Sequence, residues 1–211
     1  MRLVLLTLLT MCAFAANSLL TRAAVDGGHI GPGAFAVLRV ASGAAMLGGI
    51  ALWRGVSLPL LTPVRLAGAV SLALYMIGFS LAYLTLDAGL GALILFGVTQ
   101  ITMFGHAAVT GQAPTARQLL GAAVAFGGLV LVLWPTGGSV TDPVGAVLMV
   151  LAGLGWAAYT IAGRGAADPL AATGANFILC LPGLLVLLAA SGLEADAAGI
   201  ALGVVCGAVT S

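Results

Sequence analysis

Long uninterrupted apolar runs recur along this chain at about the length needed to cross a lipid bilayer. They constrain the fold more than any other feature. Roughly 20 helical residues, rising about 1.5 Å each, cross a hydrocarbon core of about 30 Å. Eight such runs are read, at about 3–20, 34–52, 66–86, 89–109, 118–134, 144–163, 171–190 and from 198 onward. The runs are continuous rather than alternating, and an open sheet leaves backbone groups unsatisfied in lipid, so helix is expected. With 62% hydrophobic and only 6% charged residues, the chain lacks the polar surface of a water-soluble domain. The predicted class is an all-α integral membrane protein.

Charge placement orients the spans. With the N-terminus in the cytoplasm, Arg2, Arg54, Arg65, Arg117 and Arg164 fall at inner helix ends, with Asp168 beside the last. Outer loops then hold Asp26, Asp87, Asp142, Glu194 and Asp196, with Arg22 their one basic residue. This asymmetry follows the positive-inside rule. The chain has no lysine and no basic cluster, so nothing points to nucleic acid. Cys12, Cys180 and Cys206 stand singly in apolar segments and read as small packing residues. The first seventeen residues also fit a signal peptide, a reading weakened by their match to an internal span.

That match is an internal repeat. FAANSLLTR at 14–22 and WAAYTIAGR at 156–164 coincide on a shift of 142, and the same shift brings Phe35 onto Phe177. With three residues dropped from the shorter second loop, GAVS at 68–71 meets GAVT at 207–210. If the first span corresponds to the sixth, each unit has five spans, and an odd number reverses the second unit in the membrane. The expected organisation is a first five-helix repeat over 1–136 and an incomplete second repeat over 137–211. About seven and a half of ten transmembrane helices are then present, with about 65 residues expected beyond Ser211. Inverted repeats are the architecture of alternating-access carriers, whose substrate sites lie near the midplane.

Several faces are candidates for the pathway. Thr7, Thr10, Phe14, Asn17 and Thr21 follow helical steps of three and four along the first span. The equivalent face of the sixth span offers Trp156 and Tyr159. Asn17 and Tyr159 are matched positions, and Asn17 reads equally well as a hydrogen-bonding contact between helices. Tyr75, Phe79 and Tyr83 recur every four residues as an aromatic stripe, which packing or an interfacial belt also explains. Thr99, Thr102 and His106 share a face with Gln100 beside it, and their convergence favours a lined cavity. Arg39 is read as a gating or structural charge, with Asp26 and Asp87 as candidate partners and snorkelling as the alternative. The substrate-binding set is therefore Asn17, Tyr75, Phe79, Thr99, Gln100, Trp156 and Tyr159. Thirty-one glycines, about twice the usual share of roughly 7%, allow close helix approach, for which the Ala44/Gly48, Ala45/Gly49 and Ala123/Gly127 spacings are candidates.

No zinc motif, phosphate loop or nucleophile elbow is present, so no enzyme, cofactor or metal is expected. No acidic residue lies mid-span. Coupling is then either not protonic or dependent on an acid elsewhere in the full repeat.

GPGAFAVLRVASGAAM in the second span, FSLAYLTLDAGLGALILF across the third and fourth, and QLLGAAVAFGGLVLVLWP in the fifth resemble the EamA-type branch of the drug/metabolite transporter superfamily. The resemblance implies ten helices in two inverted units, cytoplasmic termini in the bacterial plasma (inner) membrane, and export or exchange of small metabolites. It places Arg39 on the arginine of the second helix and Asn17, Tyr75, Phe79, Gln100, Trp156 and Tyr159 near the central cavity. The chain departs from the family pattern at Gly111–Gln112, where a glutamate often follows the glycine, and in VTQITM, which lacks the usual proline. The expected function is a secondary transporter of a small solute, the alternative a membrane scaffold or sensor without transport. A homodimer is left open.

Overall fold

The computed structural model describes residues 2–25, 27–86, 88–133, 142–192 and 194–210. The side chains at 2, 3, 10, 11, 14, 15, 17, 18 and 22 of the first helix, and a few near later helix ends, lie outside that description. Among the described residues the chain is all helix: α1 (Arg2–Val25), α2 (Pro32–Trp53), α3 (Pro63–Ala82), α4 (Ala88–Val109), α5 (Ala116–Leu133), α6 (Pro143–Gly163), α7 (Pro169–Ser191) and α8 (Ala197–Thr210). Five of them contain spans long and apolar enough to cross a membrane: Pro32–Trp53, Pro63–Ala82, Gly89–Val109, Pro143–Gly163 and Pro169–Ala189.

Proline and aspartate set the helix starts. α2, α3, α6 and α7 each begin on a proline, whose fixed φ suits the first turn and whose missing N–H has no intrahelical partner there anyway. Asp142 accepts from the amides of Val144 and Gly145, and Asp168 from those of Leu170 and Ala171 at 3.0 and 3.1 Å. These caps satisfy orphan donors of the first turn and place negative charge at the positive end of the helix dipole. α7 ends on Gly192 at φ 78°, a left-handed conformation that glycine adopts without a Cβ clash. Replacing Asp168 by Ala should cost about 0.5–2 kcal/mol of stability. Asp168→Asn, which keeps a capping oxygen, should cost less; thermal unfolding of the two in detergent makes the comparison.

Helix contacts divide the chain into two compact units, one of which is built from both ends of the sequence. Unit 1 takes residues 1–69 and 166–211; unit 2 takes 70–165. In unit 1, α2 packs on α7 and α8, and α1 packs on α8. Its core gathers Ala24, Ile30, Ala34, Phe35 and Cys206, with Leu20, Leu38, Leu188 and Leu202 against them. In unit 2, α4 packs on α5 and α6. Its core gathers Ala82, Leu86, Leu95, Met149 and Ala152, flanked by Tyr75, Phe79 and Tyr83. Cys180 and Cys206 are buried packing residues as expected, whereas Cys12 is exposed.

The glycine contacts depart from the expected spacings. Among the described residues nothing stands within 4 Å of a Cβ added at Gly48, Gly49 or Gly127. Close approach occurs instead at Gly43, Gly68, Gly78, Gly155 and Gly207. An AxxxG spacing marks a small-residue stripe but not whether that stripe meets a neighbour.

Candidate functional site

In unit 2, α3 and α6 approach through glycines on both helices. A Cβ at Gly155 would stand 2.7 Å from the Ser71 carbonyl oxygen and 2.8 Å from the Tyr75 nitrogen; one at Gly78 would stand 2.8 Å from the Leu148 carbonyl oxygen. This closeness sets the ring of Tyr75 on α3 against that of Trp156 on α6, with centroids 4.8 Å apart and planes at 49°. Tyr75 continues to Phe79 at 5.5 Å, and Phe79 to Tyr83 at 4.7 Å with an 86° edge-to-face angle. On the α6 side Trp156 meets Tyr159 at 5.6 Å. Five half-buried rings therefore run in one chain, Tyr83–Phe79–Tyr75–Trp156–Tyr159. Offset and edge contacts of this kind are each worth about 0.5–1.5 kcal/mol beyond area burial. The three tyrosine hydroxyls and the indole N–H give this apolar chain of rings polar ends.

Four of the predicted residues, Tyr75, Phe79, Trp156 and Tyr159, are thus brought together, and Tyr83 joins them. Thr99 is buried in the same unit and donates from Oγ1 to the Gly153 carbonyl at 3.2 Å, so its hydroxyl ties α4 to α6. Gln100, next to it, is exposed. Asn17 lies on α1 in unit 1, and its side chain is outside the described residues. Arg39, on α2 in unit 1, is half-buried, and its Nε is buried without a hydrogen-bond partner among the described residues. Its two candidate partners, Asp26 and Asp87, fall outside the description.

The structure also brings forward residues that the sequence did not single out. Asn176, one of two asparagines in the chain, is 1% exposed on α7, and its Oδ1 is buried without a hydrogen-bond partner among the described residues. It faces Gly68 of α3, where an added Cβ would stand 3.0 Å from the amide. An amide in the middle of an apolar span is itself a signal of function or of helix-to-helix bonding. Arg65, expected at an inner helix end, is only 6% exposed.

Polar contacts also join the loops of each unit. In unit 2, Thr85 after α3 donates to Asp142 before α6 at 2.7 Å. This bond, followed by that from the Gly145 amide, holds the Asp142 carboxyl below its ordinary range. In unit 1, Arg54 after α2 lies 3.4 Å from Asp168 before α7, and His29 after α1 lies 2.8 Å from Asp196 before α8. Among the described residues no group of histidine, cysteine and acidic side chains could hold a metal ion.

Among the described residues, eight helices, five of them with spans long and apolar enough to cross a membrane, define a multi-pass α-helical membrane protein. The chain belongs to the same family as the uncharacterized protein PA1977 of Pseudomonas aeruginosa, to which it is 44% identical over 214 residues, covering all of this chain and 73% of the relative. No family model matches the chain, and no solved structure matches it.

Proposed function

We propose that the protein is a secondary transporter of the EamA type, an exporter or exchanger of a small amphipathic metabolite. It works by alternating access through a cavity between two inverted five-helix repeats, the first over 1–136 and the second beginning at 137. It is multi-pass in the bacterial plasma membrane with a cytoplasmic N-terminus, and it is not an enzyme.

The observation that carries the repeat is a pair of matched glycines. Gly68 and Gly207 occupy equivalent places in the GAVS and GAVT segments. Gly68 of α3 packs on Asn176 of α7, and Gly207 of α8 packs on Arg39 and Ser42 of α2. Under the correspondence of α2 with α7 and α3 with α8, these two crossings exchange. Phe35 and Phe177, another matched pair, are both buried in the same unit. The loop contacts agree as well. In a chain that crosses the membrane with every helix, the α1–α2 and α7–α8 loops share a side, as do the α2–α3 and α6–α7 loops, and those are the loops joined in unit 1. The transport reading adds the principle that inverted repeats build alternating-access sites, with the five-ring chain as its solute-facing wall.

The second reading, a scaffold or sensor, draws on the packing of those rings against one another. Flux separates the two. Full-length protein in proteoliposomes should move labelled amphipathic metabolites, and Asn17→Ala and Tyr159→Ala should each slow uptake by about tenfold, the equivalent of about 1.4 kcal/mol. Unchanged flux in both variants removes those residues from the pathway; absence of flux for the whole panel favours the scaffold. Labelling of cysteines placed at Arg22 and Arg164 should occur from opposite sides, and labelling from one side would refute the inversion.

A further inference from the structure

The two ends of unit 1 are each closed by a contact between loops, and the contacts differ in chemistry. At one end Arg54 pairs with Asp168, which also caps α7. At the other end the α1–α2 and α7–α8 loops lie backbone to backbone. The Gly31 amide donates to the Glu194 carbonyl at 2.8 Å, the Asp196 amide donates to the His29 carbonyl at 2.9 Å, and Ile30 and Ala195 form an antiparallel bridge. His29 Nδ1 closes the contact at 2.8 Å from Asp196 Oδ2. Asp196 in turn accepts from the Gly199 amide at 2.7 Å, and Gly199 has no Cβ to collide with the His29 carbonyl, so α8 starts directly against the loop.

A guanidinium keeps its charge throughout the physiological range, whereas histidine ordinarily changes charge between about pH 5 and 8. We propose that the α1–α2 and α7–α8 loops form a proton-tightened clasp built on the His29–Asp196 contact, whereas the other end of unit 1 is held by Arg54 and Asp168.

The Asp196 carboxyl is held below its ordinary range first by the Gly199 amide and then by His29, so it stays ionised across this window. Glu194 is the other charged side chain described on the facing loop, and it is exposed. Within the sequence, Asp26 and Arg22 flank the α1–α2 loop outside the described side chains, and Arg39 stands about two turns into α2. α8 carries no charged residue. Protonating the imidazole turns a neutral hydrogen bond into a charge-assisted one, so the added stability is present at the acidic end of the window and fades as pH rises. The His29 and Asp196 side chains are 42% and 56% exposed, and screening limits the gain to about two- to fivefold in the closed-to-open ratio. On the carrier reading, acid on that side of the membrane biases that end toward closure. The clasp itself does not rest on transport.

Hydrogen exchange of the full-length protein in nanodiscs, corrected for intrinsic rates, tests this at about pH 5.5 and about pH 8. Protection of the Gly31 and Asp196 amides should fall about two- to fivefold between the two conditions in the wild type and stay flat in His29→Gln. Asp196→Asn, which keeps a capping oxygen for α8, should flatten it too. Protection around Arg54 and Asp168 should not change. A wild type without pH dependence, or a His29→Gln variant that keeps it, overturns the clasp. Titrating protection in a protein that moves no solute supports the clasp and removes only the transport reading.

Discussion

Gly155→Ala is expected to be among the most destabilising single-methyl additions in the protein. The new Cβ would meet the Ser71 carbonyl oxygen and the Tyr75 nitrogen of α3, both of them backbone atoms that cannot swing aside as a side-chain end can. α3 and α6 would have to separate, and overpacking of this kind costs about 1–3 kcal/mol, with rigid backbone on both sides favouring the upper end. Gly78→Ala attacks the same crossing from α3, against the Leu148 carbonyl. The double variant should therefore cost less than the sum of the two, because the first methyl already opens the gap that the second needs. Gly127→Ala supplies the control. Among the described residues nothing stands near its added Cβ, and alanine is the better helix former by about 1 kcal/mol, so that variant should hold or gain stability. Reversible unfolding in mixed micelles measures all four; a Gly155→Ala protein as stable as Gly127→Ala would show that the crossing is looser than described.

The fold was legible in this sequence to the extent that apolar length is a physical constraint. Eight runs were expected and eight helices are present among the described residues, because a lipid-spanning segment has few alternatives to helix. Boundaries were less legible. The third run was expected over 66–86, yet α3 starts at Pro63 and ends at Ala82, after which Leu84 and Thr85 bond three residues back in a tightened turn. A hydropathy run does not register a proline that starts a helix early or a turn that ends it while side chains are still apolar. Asp142, Asp168 and Asp196 show a second limit. They entered the orientation argument as loop charges, but each also caps a helix, so local backbone chemistry alone accounts for their positions.

The candidate site divides along the same lines. The four-residue spacing of Tyr75, Phe79 and Tyr83 and the repeat position of Trp156 and Tyr159 were readable as faces, and the structure joins those two faces in unit 2. Periodicity identifies a face without saying what lies opposite. Thr99, on a polar face of α4, is committed to the Gly153 carbonyl, and Asn176 went unnoticed because an isolated amide has no periodicity to reveal it. The division of the chain into units was not legible either. Unit 1 joins both ends of the sequence through the α2–α7, α2–α8 and α1–α8 contacts, and a linear reading of apolar runs carries no information about which distant helices meet.

Trp156→Ala should produce the largest functional loss, because this ring links the α3 and α6 halves of the aromatic chain. Its centroid is 4.8 Å from that of Tyr75 and 5.6 Å from that of Tyr159, so removing it parts Tyr159 on α6 from the Tyr83–Phe79–Tyr75 rings on α3 and leaves a gap the size of an indole. A fully buried tryptophan costs about 3–5 kcal/mol on truncation; half-buried here, Trp156 should cost about 2 kcal/mol. Flux, on the proposed reading, should fall by at least about tenfold, more than lost folding explains once protein is matched by folded amount. Trp156→Phe separates packing from recognition. It keeps a ring between Tyr75 and Tyr159 while deleting the indole N–H, so stability should recover most of the loss. If flux recovers with it, the wall acts through its apolar faces; if flux stays low in a stably folded protein, the N–H is a solute contact. Full flux in Trp156→Ala would reduce the five rings to helix packing and move the solute pathway away from α3 and α6.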